Sequence, residues 1–433
     1  MSVVWKVKTG HDRRIRTGHP WLFSNELEKS PKGLKPGTEV ILQDSKGGFI
    51  AAGYGNPNSL IAFRALSFNN KETEVCNEDF LQQKISYCWG QRFLIGCRGS
   101  FRMVYGEGDF LPGIVIDRYE VLQNEKKYQV LAVQILTYGM QEILKSPLGF
   151  FERLVTEAKE QGISEYDFTQ TAVVIRNDVN VRKLEGLQYE EPQVLKAVAG
   201  LHLTDCDIIL NFGQGQQEEV LMSTDLIEGQ KTGFFLDQSF NIDLVISQIQ
   251  RMDQWDGPIR ILDLCCYVGQ WSTKMAYALK KLGYNVEVTA VDVSEKALEF
   301  AKRNIERQGA LTLINKLDVL EQLNTLPDRY FDIVIADPPA FIKAKKDVPV
   351  GKHAYLKLNG NAFKLVKRGG LVVSCSCSGL LEEAEFIDVL RKASRRGDLL
   401  SRCLTRGGHA ADHPVQMGFP EGFYLKMFLH QVI

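Results

Sequence analysis

The stretch Arg260-Ile261-Leu262-Asp263-Leu264-Cys265-Cys266-Tyr267-Val268-Gly269, written RILDLCCYVG, joins a short apolar run to a glycine-closed turn. A helical pattern follows from Ser272 to Leu282, and the same alternation then recurs. Val286 to Val293 predicts a strand, and Ser294-Glu295-Lys296-Ala297-Leu298 opens a helix with serine at its cap. Phe331 to Ala336 is the next clear strand, and Gly370 to Cys375 another. Runs that are apolar throughout belong to parallel strands buried on both faces, so residues 193–433 predict a doubly wound α/β domain.

Upstream the pattern changes twice. Residues 73–192 predict a small α+β domain, with a helix over Ile85 to Phe93 and another over Pro147 to Gln161. Between them, Gly113 to Tyr119 and Tyr128 to Ile135 flank the polar Asn124-Glu125-Lys126-Lys127, a hairpin signal, and Ala172 to Arg176 is a further strand. Residues 1–72 hold short runs such as Glu39 to Leu42 and Phe49 to Ala52. Lys35-Pro36-Gly37, Lys46-Gly47-Gly48 and Gly53-Tyr54-Gly55-Asn56-Pro57 punctuate them, so a β-rich unit is expected. Three domains suit 433 residues at about 150 per domain.

The net charge of −1 argues neither for nor against a nucleic-acid partner, but the charge is uneven. Lys6, Lys8, Arg13, Arg14 and Arg16 stand against Asp12 alone, and Arg391 to Arg406 is a second basic run. Such runs are solvated faces unless the fold turns them toward an anion. The nine cysteines follow no disulfide framework, and no C-x-x-C occurs, so a reducing compartment and no metal site are expected. His19, His353, His409 and His413 form no metal spacing either. With no uncharged apolar run near 18 residues, no membrane partner is expected, and the predicted location is the cytoplasm.

Ligands of a doubly wound sheet bind beyond the carboxyl ends of its strands. Asp263 stands at one such end, ahead of a turn through Tyr267 and Gly269 where a ligand can approach the backbone. Asp292 ends the next strand, where a carboxylate can accept from ribose hydroxyls, and Asp318 follows Leu313 to Leu317, placed to receive an adenine amine. Singly, each acid fits a helix cap or the surface equally well; three in order favour a ligand. Neither G-x-x-x-x-G-K-[ST] nor G-x-G-x-x-G occurs here, so the ligand is adenosine-bearing without a pyrophosphate. S-adenosylmethionine meets that description. Asp337-Pro338-Pro339-Ala340-Phe341 ends a fourth strand, with prolines that stiffen the backbone beside the carboxylate and Phe341 available to stack on a base or to pack in the core.

Ser374-Cys375-Ser376-Cys377-Ser378-Gly379 closes the last apolar strand with two thiols on one face. Cys375, deeper in the strand, is expected to be packing. Cys377, nearer the reactive edge, is either inert core or a nucleophile.

At this point the chain resembles the RlmI-type family of S-adenosylmethionine-dependent ribosomal RNA methyltransferases. The likeness runs through Arg16-Thr17-Gly18-His19-Pro20-Trp21-Leu22-Phe23-Ser24, Gly106 to Gly113, Gly229 to Gln238, the DPPAF and SCSCSG stretches, and Asp412-His413-Pro414. It implies a class I, Rossmann-like catalytic domain preceded by an N-terminal RNA-binding PUA domain and a middle α+β domain. It places Lys231, Thr232, Gly233 and Phe235 over the cofactor, with Asp263, Asp292 and Asp318 around methionine, ribose and adenine. It implies that the first domain holds RNA, with Arg14, Arg16 and Trp21 as the candidate contacts, although Trp21 suits core packing at least as well. Pro338 and Phe341 are the candidates to face the base, and Cys377, which falls where the family's cysteine falls, and Asp337 are the catalytic candidates. The implied reaction is methylation of carbon 5 of a cytosine in 23S ribosomal RNA through a thiolate adduct. Members of the family are often dimers, so a homodimer is an expectation of the same kind. Two residues depart from the family pattern: Ser239 stands where an arginine is common after Asp-Gln, and Gln270 where a second glycine is common. Base N-methylation without a thiol, or a non-catalytic RNA-binding assembly factor, are the alternatives.

Overall fold

The computed structural model describes residues 3–212, 218–252 and 255–433. The chain divides into two compact units. The first comprises Met1–Glu219, Thr224–Leu236 and Ala411–Gly422, and the second Val220–Ser223, Asp237–Ala410 and Phe423–Ile433.

The first unit opens with β1 (Val3–Lys6), α1 (Arg13–Arg16), β2 (Trp21–Phe23), β3 (Thr38–Gln43), β4 (Phe49–Gly55) and β5 (Ile61–Ser67). These strands form a sheet in the order β1-β3-β4-β5-β2, antiparallel except for the β1–β3 pair. Val7, Ile15, Leu22, Val40, Leu42 and Phe63 fill its core. Then come α2 (Glu78–Leu94), β6 (Phe101–Tyr105), β7 (Ile114–Gln123), β8 (Lys126–Ile135), α3 (Tyr138–Ile143), α4 (Pro147–Glu160), β9 (Thr171–Ile175), β10 (Gln193–Lys196), β11 (Cys206–Phe212) and β12 (Glu218–Thr224), whose Val220–Ser223 is counted with the second unit. The expected hairpin is β7–β8, closed by Asn124 and Glu125, both at positive φ (50° and 62°). Two successive left-handed residues give the turn whose twist matches that of the strands.

The second sheet has the order β10-β9-β8-β7-β11-β12, with β6 also on β7. A boundary at 193 assigns β10 to β12 to the C-terminal domain, whereas their backbone groups complete this sheet. The expected helix over Ile85 to Phe93 is also longer at its start, because Asn77 caps it by accepting from Phe80 N–H at 2.8 Å. Ala411–Gly422 likewise belongs to the first unit, where buried Asp412 accepts the Arg102 amide at 2.8 Å and pairs with His413 at 2.9 Å.

The second unit carries α5 (Ser239–Ile249), β13 (Ile259–Leu264), α6 (Gln270–Lys281), β14 (Val286–Asp292), α7 (Glu295–Glu306), β15 (Leu311–Lys316) and β16 (Phe331–Ala336). It ends with α8 (Val348–Leu365), β17 (Val366–Ser376), α9 (Glu383–Arg396), β18 (Ser401–Gly407) and β19 (Lys426–Val432). The order is β15-β14-β13-β16-β17-β19-β18. β15 through β17 run parallel, while β19 pairs antiparallel with both β17 and β18. The chain leaves β13 toward β14 and β15, then returns to β16 on the other side, so the order reverses between β13 and β16. That reversal opens a crevice at the carboxyl ends. Ser294 caps α7 as expected, accepting from Ala297 N–H at 3.3 Å.

One buried carboxylate ties the first sheet to the segment beyond β9. Glu185 takes Arg64 Nη2 and Ser59 Oγ, each at 2.7 Å, on one oxygen, and Asn56 Nδ2 at 3.0 Å on the other. Removing one partner leaves an uncompensated buried charge, which costs about 3–5 kcal/mol. Glu185→Ala should therefore lower the melting temperature sharply, read by thermal unfolding. A melting curve matching the wild type would contradict this account.

Candidate active site

The loop from β13 to α6 is wound by backbone that ordinary residues avoid: Cys265, Tyr267 and Gly269 have φ of 62°, 50° and 80°. Such conformations cost roughly 1–3 kcal/mol each at non-glycine residues and persist only when neighbours impose them. Asp292 is one such neighbour. Its Oδ2 accepts Tyr267 N–H and its Oδ1 accepts Ser294 N–H, both at 2.9 Å. The carboxylate expected to meet a ribose therefore also shapes the loop beside it. At Gly269 a Cβ would stand 3.1 Å from Ala301 of α7, so helix packing as well as φ requires glycine there.

Asp263, 1% exposed, accepts the Ser272 amide at 3.3 Å and the Ser272 hydroxyl at 2.5 Å on Oδ2. Its Oδ1 has no partner among the described residues, and neither has the buried Nε2 of Gln270 in the first turn of α6. Burial pushes the Asp263 carboxyl up to about 7, with repulsion from Asp337 and Asp292 adding and the Ser272 bonds opposing. Asp318 is exposed beyond β15, and its Oδ1 accepts Leu320 N–H at 2.7 Å.

The Asp337 carboxylate at the end of β16 is aimed by two side chains that sequence reasoning missed. Gln238 Nε2 reaches both its oxygens, at 2.9 and 3.0 Å, and Trp271 Nε1 reaches Oδ2 at 2.9 Å. Gln238 is itself held by Asn241 Nδ2, which donates to its Oε1 at 2.6 Å. An indole N–H matters only once its acceptor is known, and Trp271 and Asp337 are 66 positions apart. Gln238 lay within a recognised block, but nothing in that block named its partner.

Pro338 is buried, and Phe341 meets Tyr355 edge-on at 4.8 Å, so its ring is packed rather than splayed. The turn after β17 is knit to this loop: Ser378 Oγ accepts Ile342 N–H at 3.2 Å and lies 2.9 Å from Tyr355 Oη. Cys375 is fully buried, and burial drives its thiol well above the ordinary value. Cys377 is only half-buried, with its thiol donating to the Pro338 carbonyl at 3.8 Å. Lys426, at the start of β19, donates to Ser378 O at 3.1 Å and Tyr424 O at 2.9 Å.

The remaining predicted residues lie in the first unit. Lys231 places its ammonium 4.2 Å from the centre of the Phe235 ring, and Thr232 is buried between Asp117 and Tyr119. Gly233 has φ of 114°, and a Cβ there would meet Leu226 at 2.7 Å. Arg14 pairs with Glu26 at 3.3 Å and Arg16 with Asp12 at 2.6 Å. Trp21 donates to Glu107 at 2.9 Å and sits edge-on to Phe419. These intramolecular contacts give each of the three a structural task. None of the nine cysteines is in a disulfide, no group of metal-ligating side chains is present among the described residues, and no described helix is long and apolar enough to cross a membrane.

Residues 6–68 match a PUA-like domain family, and residues 256–408 match a methyltransferase domain family. Ribosomal RNA large subunit methyltransferase I of Photobacterium profundum is 30% identical over 437 residues, spanning 97% of this chain and 96% of its own length. The protein of the same name from Pseudoalteromonas translucida is 31% identical over 98% of each. The chain belongs to this family. As a ribosomal RNA large subunit methyltransferase I family member it is an S-adenosylmethionine-dependent methyltransferase, with the PUA-like and α/β architecture expected. A Streptococcus mutans protein assigned as a SAM-dependent methyltransferase shares the fold at a TM-score of 0.72 and 16% identity, over 99% of this chain and all of its own. So does an assigned methyltransferase crystallised with SAH, at 17% identity and the same TM-score.

Asp263 generates a pH signature. Below about pH 4 its carboxyl is neutral whether the chain is folded or not, and between about 4 and 7 only the unfolded chain ionises. The stability it confers is thus present at low pH and lost as the pH rises through about 7. Without cofactor, Asp263→Asn should lack this loss, so its melting temperature gains on wild type between about pH 5 and 8. Its affinity for S-adenosylmethionine should fall at least about tenfold. Parallel melting profiles across that range would refute the assignment.

Proposed function

We propose that the chain methylates carbon 5 of a cytosine in large-subunit ribosomal RNA, with Cys377 as the nucleophile. The observation that carries this reading is the contrast between two neighbouring thiols. Cys375 is enclosed, whereas Cys377 stays half-buried at the carboxyl edge, against the carbonyl that follows Asp337.

The residues present fit the cofactor. The unsatisfied Asp263 Oδ1 is an acceptor suited to an ammonium, and the unsatisfied Gln270 Nε2 is a donor suited to a carboxylate. S-adenosylmethionine brings both groups and, when bound, supplies a sulfonium methyl. Asp263 and Gln270 would hold its amino-acid end, the loop from Cys265 to Gly269 its middle, and Asp292 its ribose.

Carbon 5 of cytosine is a poor nucleophile. A Cys377 thiolate bonding to carbon 6 pushes the ring electrons onto carbon 5, which then has the character of an enamine and can accept a methyl group. Loss of the carbon 5 proton returns that electron pair to the ring, the carbon–sulfur bond breaks, and the thiolate is restored. Asp337, fixed by Gln238 and Trp271, would bind the exocyclic amine and hold the ring in register. The PUA-like domain would grip the RNA.

Cys377→Ala should abolish methylation of ribosomal RNA while leaving S-adenosylmethionine binding intact, as read by methyl incorporation and calorimetry. Methylation retained by this variant would point instead to a nitrogen acceptor. No cofactor binding by the wild type would point to an assembly factor. Trp271→Phe removes one charge-assisted bond to Asp337, so kcat should drop about tenfold or more. Cofactor affinity should hold, and an unaltered kcat would show that the indole does not aim the carboxylate.

A further inference from the structure

Lys426 is 6% exposed and its ammonium donates to two neutral carbonyls, those of Ser378 and Tyr424. No carboxylate lies within ion-pair distance of it among the described residues. A buried cation in that state is costly, since carbonyl dipoles only partly replace the water it gave up. An ammonium has three hydrogens to donate, and two are accounted for here.

What stands next to it is the turn carrying Cys377. Lys426 is paired across the β17–β19 ladder with Ser376, and its Nζ reaches the carbonyl of Ser378. Cys377 is the residue between those two. Burial lowers the lysine's own affinity for a proton, and the largest opposing interaction is with Cys377, ahead of Glu383 at the start of α9. The other titratable groups near the thiol are Cys375 of β17, Tyr355 of α8 and Asp337 beyond β16. Tyr355 is pushed up by burial to about 12 and stays a neutral donor, and the Asp337 charge opposes ionisation of Cys375. Among these groups, Lys426 is the one that carries positive charge.

Taking Cys377 as the nucleophile proposed above, we infer that Lys426 is the buried counter-ion that holds Cys377 as a thiolate and fixes the turn presenting it. The thiol proton passes to water, and the ammonium keeps all of its own protons throughout. The pair serves twice. It raises the thiolate population before attack on carbon 6, and it stabilises the same anion when the carbon–sulfur bond breaks. Lys426 touches neither base nor cofactor in this role, so it is a positioning residue.

The test needs neither RNA nor turnover. The full-length protein is treated with iodoacetamide from pH 5 to 10, and modification of Cys377 is followed by peptide mass mapping. Wild type should show a midpoint below the ordinary thiol value of about 8.5. Lys426→Met should move that midpoint up by about one unit or more and slow alkylation at pH 7 at least about tenfold. Lys426→Arg should restore the midpoint substantially, which a purely structural role would not predict. In RNA methylation, Lys426→Met should lose kcat at pH 7 and recover as the pH rises, with cofactor affinity unchanged. Identical midpoints for wild type and Lys426→Met would overturn the pairing. If Lys426→Met fails to bind S-adenosylmethionine, and so has not folded, the wild-type midpoint alone decides, and a value at or above about 8.5 overturns it. Should Cys377→Ala retain methylation, the nucleophile assignment falls while the alkylation profiles still report whether the pair exists.

Discussion

The parallel ladder between β13 and β16, from Ile261 opposite Ile333 to Leu264 opposite Ala336, is the constraint on which the catalytic unit depends. It sets side by side two strands that α6, β14, α7 and β15 separate in the chain. Asp263 and Asp337 then end on the same edge, where the chain's two directions of winding part. If the pairing slipped by one residue, every side chain of β16 would change face. Asp337 would lose Gln238 and Trp271, and the thiol turn would lose its partner carbonyl.

Around that ladder the site is made from conflicting demands that the fold resolves locally. The loop from Cys265 to Gly269 holds three left-handed residues, and Asp292 fastens it by taking two backbone amides. Asp263 is buried with one oxygen unsatisfied, a cost that a ligand ammonium can offset. Lys426 is buried with only carbonyls as partners, a cost that a thiolate can offset. Unfavourable terms of this kind gather where ligands or reactive anions are meant to complete the set. The rest of the sheet, with its fully apolar strands and covering helices, supplies the stability that lets them persist.

The two cysteines of SCSCSG show how depth along one strand separates roles. They are two residues apart, and both would face the same way on a regular strand. β17 ends at Ser376, so Cys375 is locked in the ladder opposite Met427 while Cys377 belongs to the turn. A strand one turn longer would have enclosed both. The tie from Ser378 to Ile342 and Tyr355 stops the strand there and knits the DPPAF loop to the thiol.

Much was legible from local pattern alone. The apolar runs at 331–336 and 260–264, the capping serine at 294 and the hairpin signal at 124–127 are written in neighbouring residues, because strands, caps and turns are decided over a few positions. The acids at strand ends were legible too, since strand ends are local. Other features depended on distance in the chain. Gln238 and Trp271 meet Asp337 from 99 and 66 positions away, and Lys426 meets the thiol turn from 48. A hydrogen bond requires its two atoms to be placed together, and no local pattern records which atoms those will be. The same limit put β10, β11 and Ala411–Gly422 in the first unit, since a strand's backbone groups pair with whichever edge is presented. The sequence by itself determined the elements and the chemistry available at their ends. Tertiary structure alone decided which of those groups share a carboxylate, which thiol stays open, and which cation is left without a counter-charge.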